Sequence, residues 1–339
     1  MTAQYMRKLS LVVSDSSNAI ELHQLHVKFT VRHRTTSTAS TLEARIYNLS
    51  DKTAKTIQDE FTNVTLMAGY ENSTGVIFGT IFTGSVVQWR IGRENPTDIY
   101  LDVYAAAGDI PRNWAVMRQT LAAGYKPTDE QKVIVNAFAA QGLKVGSVVN
   151  NLPDTESSRG RSFYGMARDH LDDFCKTYGL SAYINGATGM LEIVSNTGYA
   201  PSTPVELNSL SGLIGMPQQT QDGVTVRCLL RPSIMHNRVV HINNKSVQTA
   251  IIGTNVGPDA FTNFQQLPSI AADGYYRVLA VDHTGDTRGN PWYTDMWCAA
   301  LKGQFPLGVV DLDLPAEWND PSGAQPPPLP VPPITSTGG

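Results

Sequence analysis

Between His23 and Arg34 the chain reads HQLHVKFTVRHR, in which Leu25, Val27, Phe29 and Val31 alternate with His26, Lys28, Thr30 and Arg32. Successive side chains of a strand point to opposite faces, so this alternation predicts a strand with one buried face. TLEARIYNLS repeats the pattern through Leu42, Ala44 and Ile46. Ser50 then offers a hydroxyl to the free amides of SDKTAKTIQDEF, which predicts the start of a short helix. NVTLMAGY, GVIFGTIFTGSVVQWRIG and DIYLDVYAAA predict three further strands. The first hundred or so residues are therefore expected to form an antiparallel sheet with one small helix, closed or sandwiched.

From about Gly108 to Tyr199 the period changes to 3.6. Thr128 with Gln131 suggests a capping box before the helix KVIVNAFAAQ, with Gly142 to end it. In RSFYGMARDHLDDFCKTYG a single helical stripe collects Phe163, Met166, Ala167, Leu171, Phe174, Cys175 and Tyr178, and Gly179 supplies the stop. LSAYINGATGMLEIV predicts two strands around a glycine-bearing turn. This stretch is expected to be a small α/β unit. From about Pro201 strands return: two in GVTVRCLLRPSIMHNRVVHI around Pro232, and two in GYYRVLAVDHTGDTRGNPWYTDMWCAAL around the loop HTGDTRGNP. Past Leu314 the chain reads DPSGAQPPPLPVPPITSTGG after a short spacer. Proline fits neither a helix nor a sheet ladder, so an extended or disordered tail is expected there.

The two β-regions end alike. YLDVYAAA at Tyr100 to Ala107 and YTDMWCAA at Tyr293 to Ala300 share a tyrosine, an aspartate two positions on, an aromatic two further, and a closing alanine pair. Each follows a polar turn containing Asn-Pro, at Asn95-Pro96 and Asn290-Pro291. Order and context predict one β-module built twice, with Tyr100, Asp102 and Tyr104 as counterparts of Tyr293, Asp295 and Trp297.

Composition narrows the function. At 339 residues the chain suits two or three domains. Only 17% of residues are charged, below the usual quarter, which suggests a surface that is polar but uncharged or partly covered by other subunits. A net charge of −4 gives no electrostatic case for gripping a nucleic-acid backbone. Cys175, Cys228 and Cys298 are scattered and odd in number, so they predict buried small hydrophobes rather than a disulfide framework or zinc site. The N-terminal stretch lacks a signal peptide's apolar core, and no apolar run reaches membrane-spanning length, so a protein soluble when made is expected.

A search for chemistry returns little. His23 and His26 would point to opposite faces of a strand and so make a poor metal pair. His170 lies beside Asp172 and Asp173 on the expected solvated face of a helix. His283 with Asp286 is the cluster closest to an acid/base pair; Asp282, as an immediate strand neighbour, points away from it. The plainer expectation is a polar hairpin tip, an interface loop of His283, Asp286 and Arg288. The GDTRG stretch has no helix behind it to bind phosphate, and DLDLP at Asp311 to Pro315 lacks the later ligands of a calcium loop. No nucleophile elbow or phosphate-binding glycine loop occurs. No enzyme, catalytic residue, cofactor or metal is predicted.

One family unites these stretches. YNLS near Asn48, LMAGY at Leu66 to Tyr70, IFTGSV at Ile81 to Val86 and the spaced Asp98, Leu101 and Val103 resemble the N-terminal half of the baseplate hub proteins of contractile-tailed bacteriophages. GRSFYGMARDHLDDF is similar to their middle domain, LSGLIGMPQQTQDGVTVRCLLRPSI to the approach to their second barrel, and YYRVLAVDHTGDTRGNPWYTDM to the barrel itself. The ordered series runs from about Leu9 to Leu314 and leaves the proline-rich tail outside.

The resemblance implies a mainly β fold with an α/β insert: two tail-tube-like β-barrel domains, residues 1–108 and 201–314, flanking a small α/β domain, 109–200, before the tail, 315–339. It implies a structural virion protein of the tail baseplate, made in the host bacterial cytoplasm. Such a chain forms a homotrimer whose six barrels make a pseudo-sixfold ring. The ring would join the hexameric tail tube protein to the trimeric central spike protein, with other baseplate proteins and the tape measure protein as further candidate partners. DNA would pass through the lumen without specific binding, in keeping with the net charge. A tube or spike component of a type VI secretion system, or a tail-associated cell-wall hydrolase, are the alternatives. Low charge density accords with a chain that buries much surface on its neighbours.

Overall fold

The computed structural model describes residues 6–15, 18–34, 39–71, 77–149, 151–220, 223–242 and 274–301. The expected tail 315–339 and the DLDLP stretch lie outside them. The first β-region comprises β1 (Arg7–Ser14), β2 (Ala19–Leu22), β3 (Val27–Arg34), β4 (Thr41–Tyr47), helix α1 (Asp51–Glu60), β5 (Asn63–Tyr70), β6 (Ile77–Arg93) and β7 (Ile99–Ala106). The alternation is realised as expected: Val27, Phe29 and Val31 of β3 and Leu42, Ala44 and Ile46 of β4 are buried. Two strands, β1 and β2, precede the first one that the alternation predicts. β1 pairs antiparallel with both β2 and β5 and buries Leu9, Leu11 and Val13.

Ser50 caps α1, its hydroxyl accepting from the Thr53 N–H at 3.1 Å. Ser50→Ala removes that acceptor and is expected to cost about 1 kcal/mol, read as a lowered midpoint in urea unfolding. An unchanged midpoint would show that the cap adds nothing here.

The middle segment contains α2 (Asp109–Trp114), β8 (Val116–Leu121), α3 (Pro127–Ala139), β9 (Lys144–Val148), β10 (Arg161–Met166), α4 (Ala167–Tyr178), β11 (Leu180–Ile184) and β12 (Met190–Ser195). Two expectations are corrected. The helix of the KVIVNAFAAQ stretch starts at Pro127, where Asp129 rather than Gln131 makes the reciprocal cap, accepting from the Lys126 N–H at 3.1 Å. Gln131 is buried and donates to the Val149 carbonyl at 3.2 Å. Phe163 and Met166 do not join the helical stripe. They lie on β10, which pairs with β8, and Gly165 holds φ at +129°, outside helical backbone. The stripe of α4 is Ala167, Leu171, Phe174 and Cys175, with Tyr178 packed partly buried against Phe174, and Gly179 ends it in the left-handed conformation at φ +63°.

The second β-region contributes β13 (Val205–Leu207), β14 (Leu213–Thr220), β15 (Gly223–Leu229), β16 (Val239–Ile242), β17 (Tyr275–Asp286) and β18 (Trp292–Ala300). One mainly antiparallel sheet joins both regions in the order β14-β15-β18-β17-β3-β4-β7-β6-β5-β1-β2, with β16 on β17 and β13 parallel to β16. The regions meet where β17 pairs with β3, from Ala280 opposite Arg34 to Asp286 opposite Lys28. The core of the first region continues through Phe163, Phe174 and Ile193 of the middle segment to Leu230 and Trp292, while Val224, Val226, Tyr276, Val278 and Met296 pack a second core. All three cysteines are free and buried. Burial pushes the Cys175 and Cys228 thiols up to about 12, which suppresses the reactive thiolate. Among the described residues no helix is long and apolar enough to cross a membrane.

Candidate functional site: matching registers and the joint between them

In β4 and β7, Arg45 lies opposite Asp102, and in β6 the residue opposite Asp102 is Arg90. The Arg45 guanidinium meets the carboxylate as a fork, Nε to Oδ1 at 2.7 Å and Nη2 to Oδ2 at 3.1 Å, and lies 3.9 Å from the centre of the Tyr100 ring. In the second region Arg227 of β15 lies opposite Asp295 of β18, which faces Asp282 of β17. The fork recurs at 2.6 and 3.0 Å, and the guanidinium stands 5.5 Å from the Tyr293 ring. Both sites follow from strand geometry: the arginine is the cross-strand neighbour of the aspartate, and the tyrosine two residues before it shares its face. Such paired forks are among the stronger charge-assisted contacts.

The ladders agree beyond these residues. Opposite β7, β6 skips one residue at Val87, between Val86 facing Ala105 and Gln88 facing Tyr104. Opposite β18, β17 skips Leu279, between Val278 facing Cys298 and Ala280 facing Trp297. Counted from the aspartates, the bulges fall at the same position. Before the bulge each long strand takes another neighbour, with Ser85 of β6 opposite Asn63 of β5 and Arg277 of β17 opposite Val239 of β16. Tyr100, Asp102 and Tyr104 lie on one face of β7, and Tyr293, Asp295 and Trp297 on one face of β18. The first copy sits deeper: Tyr100 and Asp102 are buried, whereas Tyr293, Asp295 and Trp297 are half-buried.

Of the three residues expected in an interface loop, His283 is displaced from it. It lies inside β17, fully buried, with Nδ1 hydrogen-bonded to Thr294 Oγ1 at 2.9 Å. Asp286 has other partners: His26 Nε2 at 2.8 Å and the backbone N–H groups of Arg288 at 2.9 Å and Gly289 at 2.7 Å. Burial opposes ionisation of Asp286, but the Arg288 amide, His26 and the Gly289 amide outweigh it and hold the carboxyl below its ordinary range. Arg288 meets Asp286 through its backbone. Arg7 of β1 fastens the tip by donating to the carbonyls of Gly289 at 2.6 Å and Asn290 at 3.0 Å. A groove above β3 and β4 runs from Asp102 to Asp286. Four carboxylates line it: Asp102 and Asp286 are held by the partners just named, Glu43 accepts from Arg32 at 2.6 Å, and Glu94 lies 4.0 Å from Arg45.

The joint between β3 and β17 gathers an ion pair and buried imidazoles. Arg34 forks onto Asp282 across it, with Nη2 to Oδ2 at 3.1 Å, and stacks near Trp297. Beneath lie three buried histidines. The His33 ring is 5.5 Å from that of His236, nearly parallel, and 5.7 Å from that of His283, edge-on. His33 Nε2 donates to the Ile81 carbonyl at 3.0 Å. Burial holds all three neutral: His33 falls to about 4, and His236 and His283 fall well below the usual imidazole range. His236 also touches Tyr183 of the middle segment, whose hydroxyl bonds Glu192 at 2.6 Å, and Arg238 reaches the same carboxylate at 2.9 Å. One histidine had a signal in the sequence: His33 continues the buried face of Val27, Phe29 and Val31. The convergence of the three had none. Among the described residues, no three His, Cys, Asp or Glu converge to hold a metal ion.

The family model described as "Baseplate hub gp41" matches residues 9–246. Among solved structures, the 43 kDa tail protein of prophage MuSo2 from Shewanella oneidensis superposes with a TM-score of 0.51 at 8% identity, over 87% of this chain and 98% of its own. A tail protein from Neisseria meningitidis gives 0.51 at 10% identity, over 87% of this chain and 96% of its own. At such identities these two establish a shared fold. No curated protein sequence matches the chain. With the family match extending over more than half of its length, the chain belongs to the baseplate hub gp41 family, and it is a structural, non-enzymatic component of a phage tail.

Proposed function

We propose that three copies of this chain form a pseudo-sixfold ring that joins a hexameric tail tube to a trimeric central spike. The observation that carries the reading is the strand order: β14-β15-β18-β17-β16 matches β3-β4-β7-β6-β5, with the aspartate fork and the bulge at equal offsets. In this reading residues 1–108 and 201–314 are two tube-like barrels of one design, residues 109–200 are the insert between them, and the six marked side chains are equivalent points. Doubling the module lets a trimer present six similar surfaces, which resolves the mismatch between threefold and sixfold neighbours. The lumen would pass DNA without gripping it, since a net charge of −4 offers the phosphates no compensating field. Tube, spike, other baseplate proteins and the tape measure protein are the partners this assembly would meet, after synthesis in the host cytoplasm.

Light scattering on the purified chain, alone and with its spike, is expected to give a trimer. A monomer under every condition would overturn the ring. Locating the chain in an electron-microscopy map of an intact tail tests its neighbours directly.

A further inference from the structure

After its bulge, β17 is bonded on both sides: to β18, and through Ala280 to Asp286 to β3. The matching stretch of β6, Gln88 to Arg93, is bonded to β7 on one side, and among the described residues no strand pairs with its other side beyond the end of β5. A strand edge left open presents a row of backbone donors and acceptors to another chain. This edge also carries exposed apolar side chains, Val87 at 60% and Ile91 at 48%. The counterpart of Ile91 by register is His283, which is 1% exposed where the joint with β3 is made. The surface is thus the same surface with its cover removed.

The cover is indicated by the same register. The counterpart of β3 is β14: Ile214 faces Arg227 as Lys28 faces Arg45, and beyond an irregularity in β14 between Ile214 and Gln218, Gln218 faces Thr225 as Thr30 faces Glu43 and Thr220 faces Gly223 as Arg32 faces Thr41. Both modules lie head to tail in one sheet, with the β17 edge of one on the β3 edge of the other. A head-to-tail contact repeated with a fixed rotation continues until the ring closes. We infer that Arg90 to Gly92 of β6 takes Gln218 to Thr220 of β14 in a second copy of this chain, antiparallel, in the register that Asp282 to Thr284 of β17 and Thr30 to Arg32 of β3 use within one copy. Asp282 opposite Arg32 becomes Arg90 opposite Thr220, and Thr284 opposite Thr30 becomes Gly92 opposite Gln218 of the neighbour. The joint deepens the ring reading above and rests on it. Main-chain hydrogen bonds would hold the contact, and the apolar pair would seal it.

Directly opposed side chains on paired strands have Cβ atoms about 4.5–5.5 Å apart, close to disulfide reach. The full-length double variant R90C/T220C is expected to oxidise into a covalent closed trimer on a non-reducing gel. R90C/Q218C, displaced by two residues, should stay monomeric on the same gel; the native cysteines are buried and do not compete. A trimer in light scattering without the specific disulfide, or equal cross-linking by both pairs, overturns this joint and leaves the ring intact. A monomer throughout, without cross-links, overturns both. Ile91→Asp supplies a second readout. Its side chain is exposed in the single chain, so the isolated fold should melt unchanged, while the concentration at which trimers dissociate rises about tenfold or more. Unchanged dissociation would count against the joint.

Discussion

Lowering the pH from 6.5 to 5 is expected to destabilise this fold by several kcal/mol, well before carboxylate titration dominates. His33, His236 and His283 are neutral and buried when folded, with His33 lowered to about 4 and the other two lowered well below the usual value. In the unfolded chain each regains a pKa near 6.5. Between those values the unfolded state binds more protons, so stability is fully present above about pH 6.5 and is lost as pH falls toward the folded values. Each histidine contributes at most about 1.4 kcal/mol per pH unit, so three together approach about 4 kcal/mol per unit. The charges around them do not rescue the cations. Asp282 favours a charged His33, but Arg34 opposes it, and Arg238 and Arg34 both oppose a charged His236. Urea unfolding at pH 7.5, 6 and 5 measures the slope, and His236→Phe should reduce it by about a third. A stability that is flat from pH 6.5 to 5 would refute the account.

The two arginine forks should differ sharply in worth although their geometry is the same. The Asp102 side chain is 6% exposed and Arg45 35%, whereas Asp295 is 27% exposed and Arg227 55%. Removing Arg45 leaves the buried Asp102 carboxylate without the partner that forks onto it, and breaking a buried pair is costly. Arg45→Met keeps the apolar stem and is expected to cost roughly 2–4 kcal/mol, allowing for the partial exposure of the arginine. Arg227→Met should cost less than about 1 kcal/mol, since water screens an exposed pair. Adding Asp102→Asn to Arg45→Met should recover part of the loss, because an amide tolerates the site better than an unpaired charge. Denaturation of the three variants beside the parent chain decides the matter. Equal costs at the two forks would mean that burial does not govern them.

Where neighbouring residues supply the physics, the structure agrees with the sequence. Alternation sets the buried faces of β3 and β4, Ser50 caps α1, and Gly179 stops α4 because left-handed backbone costs glycine little. The matching ends at Tyr100 and Tyr293 were legible as a short pattern. Their partners were not, since Arg45 lies 57 residues from Asp102 and Arg227 lies 68 from Asp295. Phe163 shows the opposite failure. Its spacing to Ala167 and Leu171 fits a helix, but pairing of β10 with β8 satisfies the backbone first, and helix begins only after Gly165.

Local pattern by itself thus determined the strands β3 to β7, β11, β12 and β15 to β18, the apolar faces of β3 and β4, and that one strand ending occurs twice. Only the tertiary structure decided that both regions share one sheet, that β17 meets β3, and that His33, His236 and His283 are buried together beneath that seam. The reason is physical. A strand's periodicity records which of its faces is dry, whereas its edges offer the same backbone donors and acceptors to any partner. The choice between partners more than two hundred residues apart rests on shape and burial that exist only once the chain has folded.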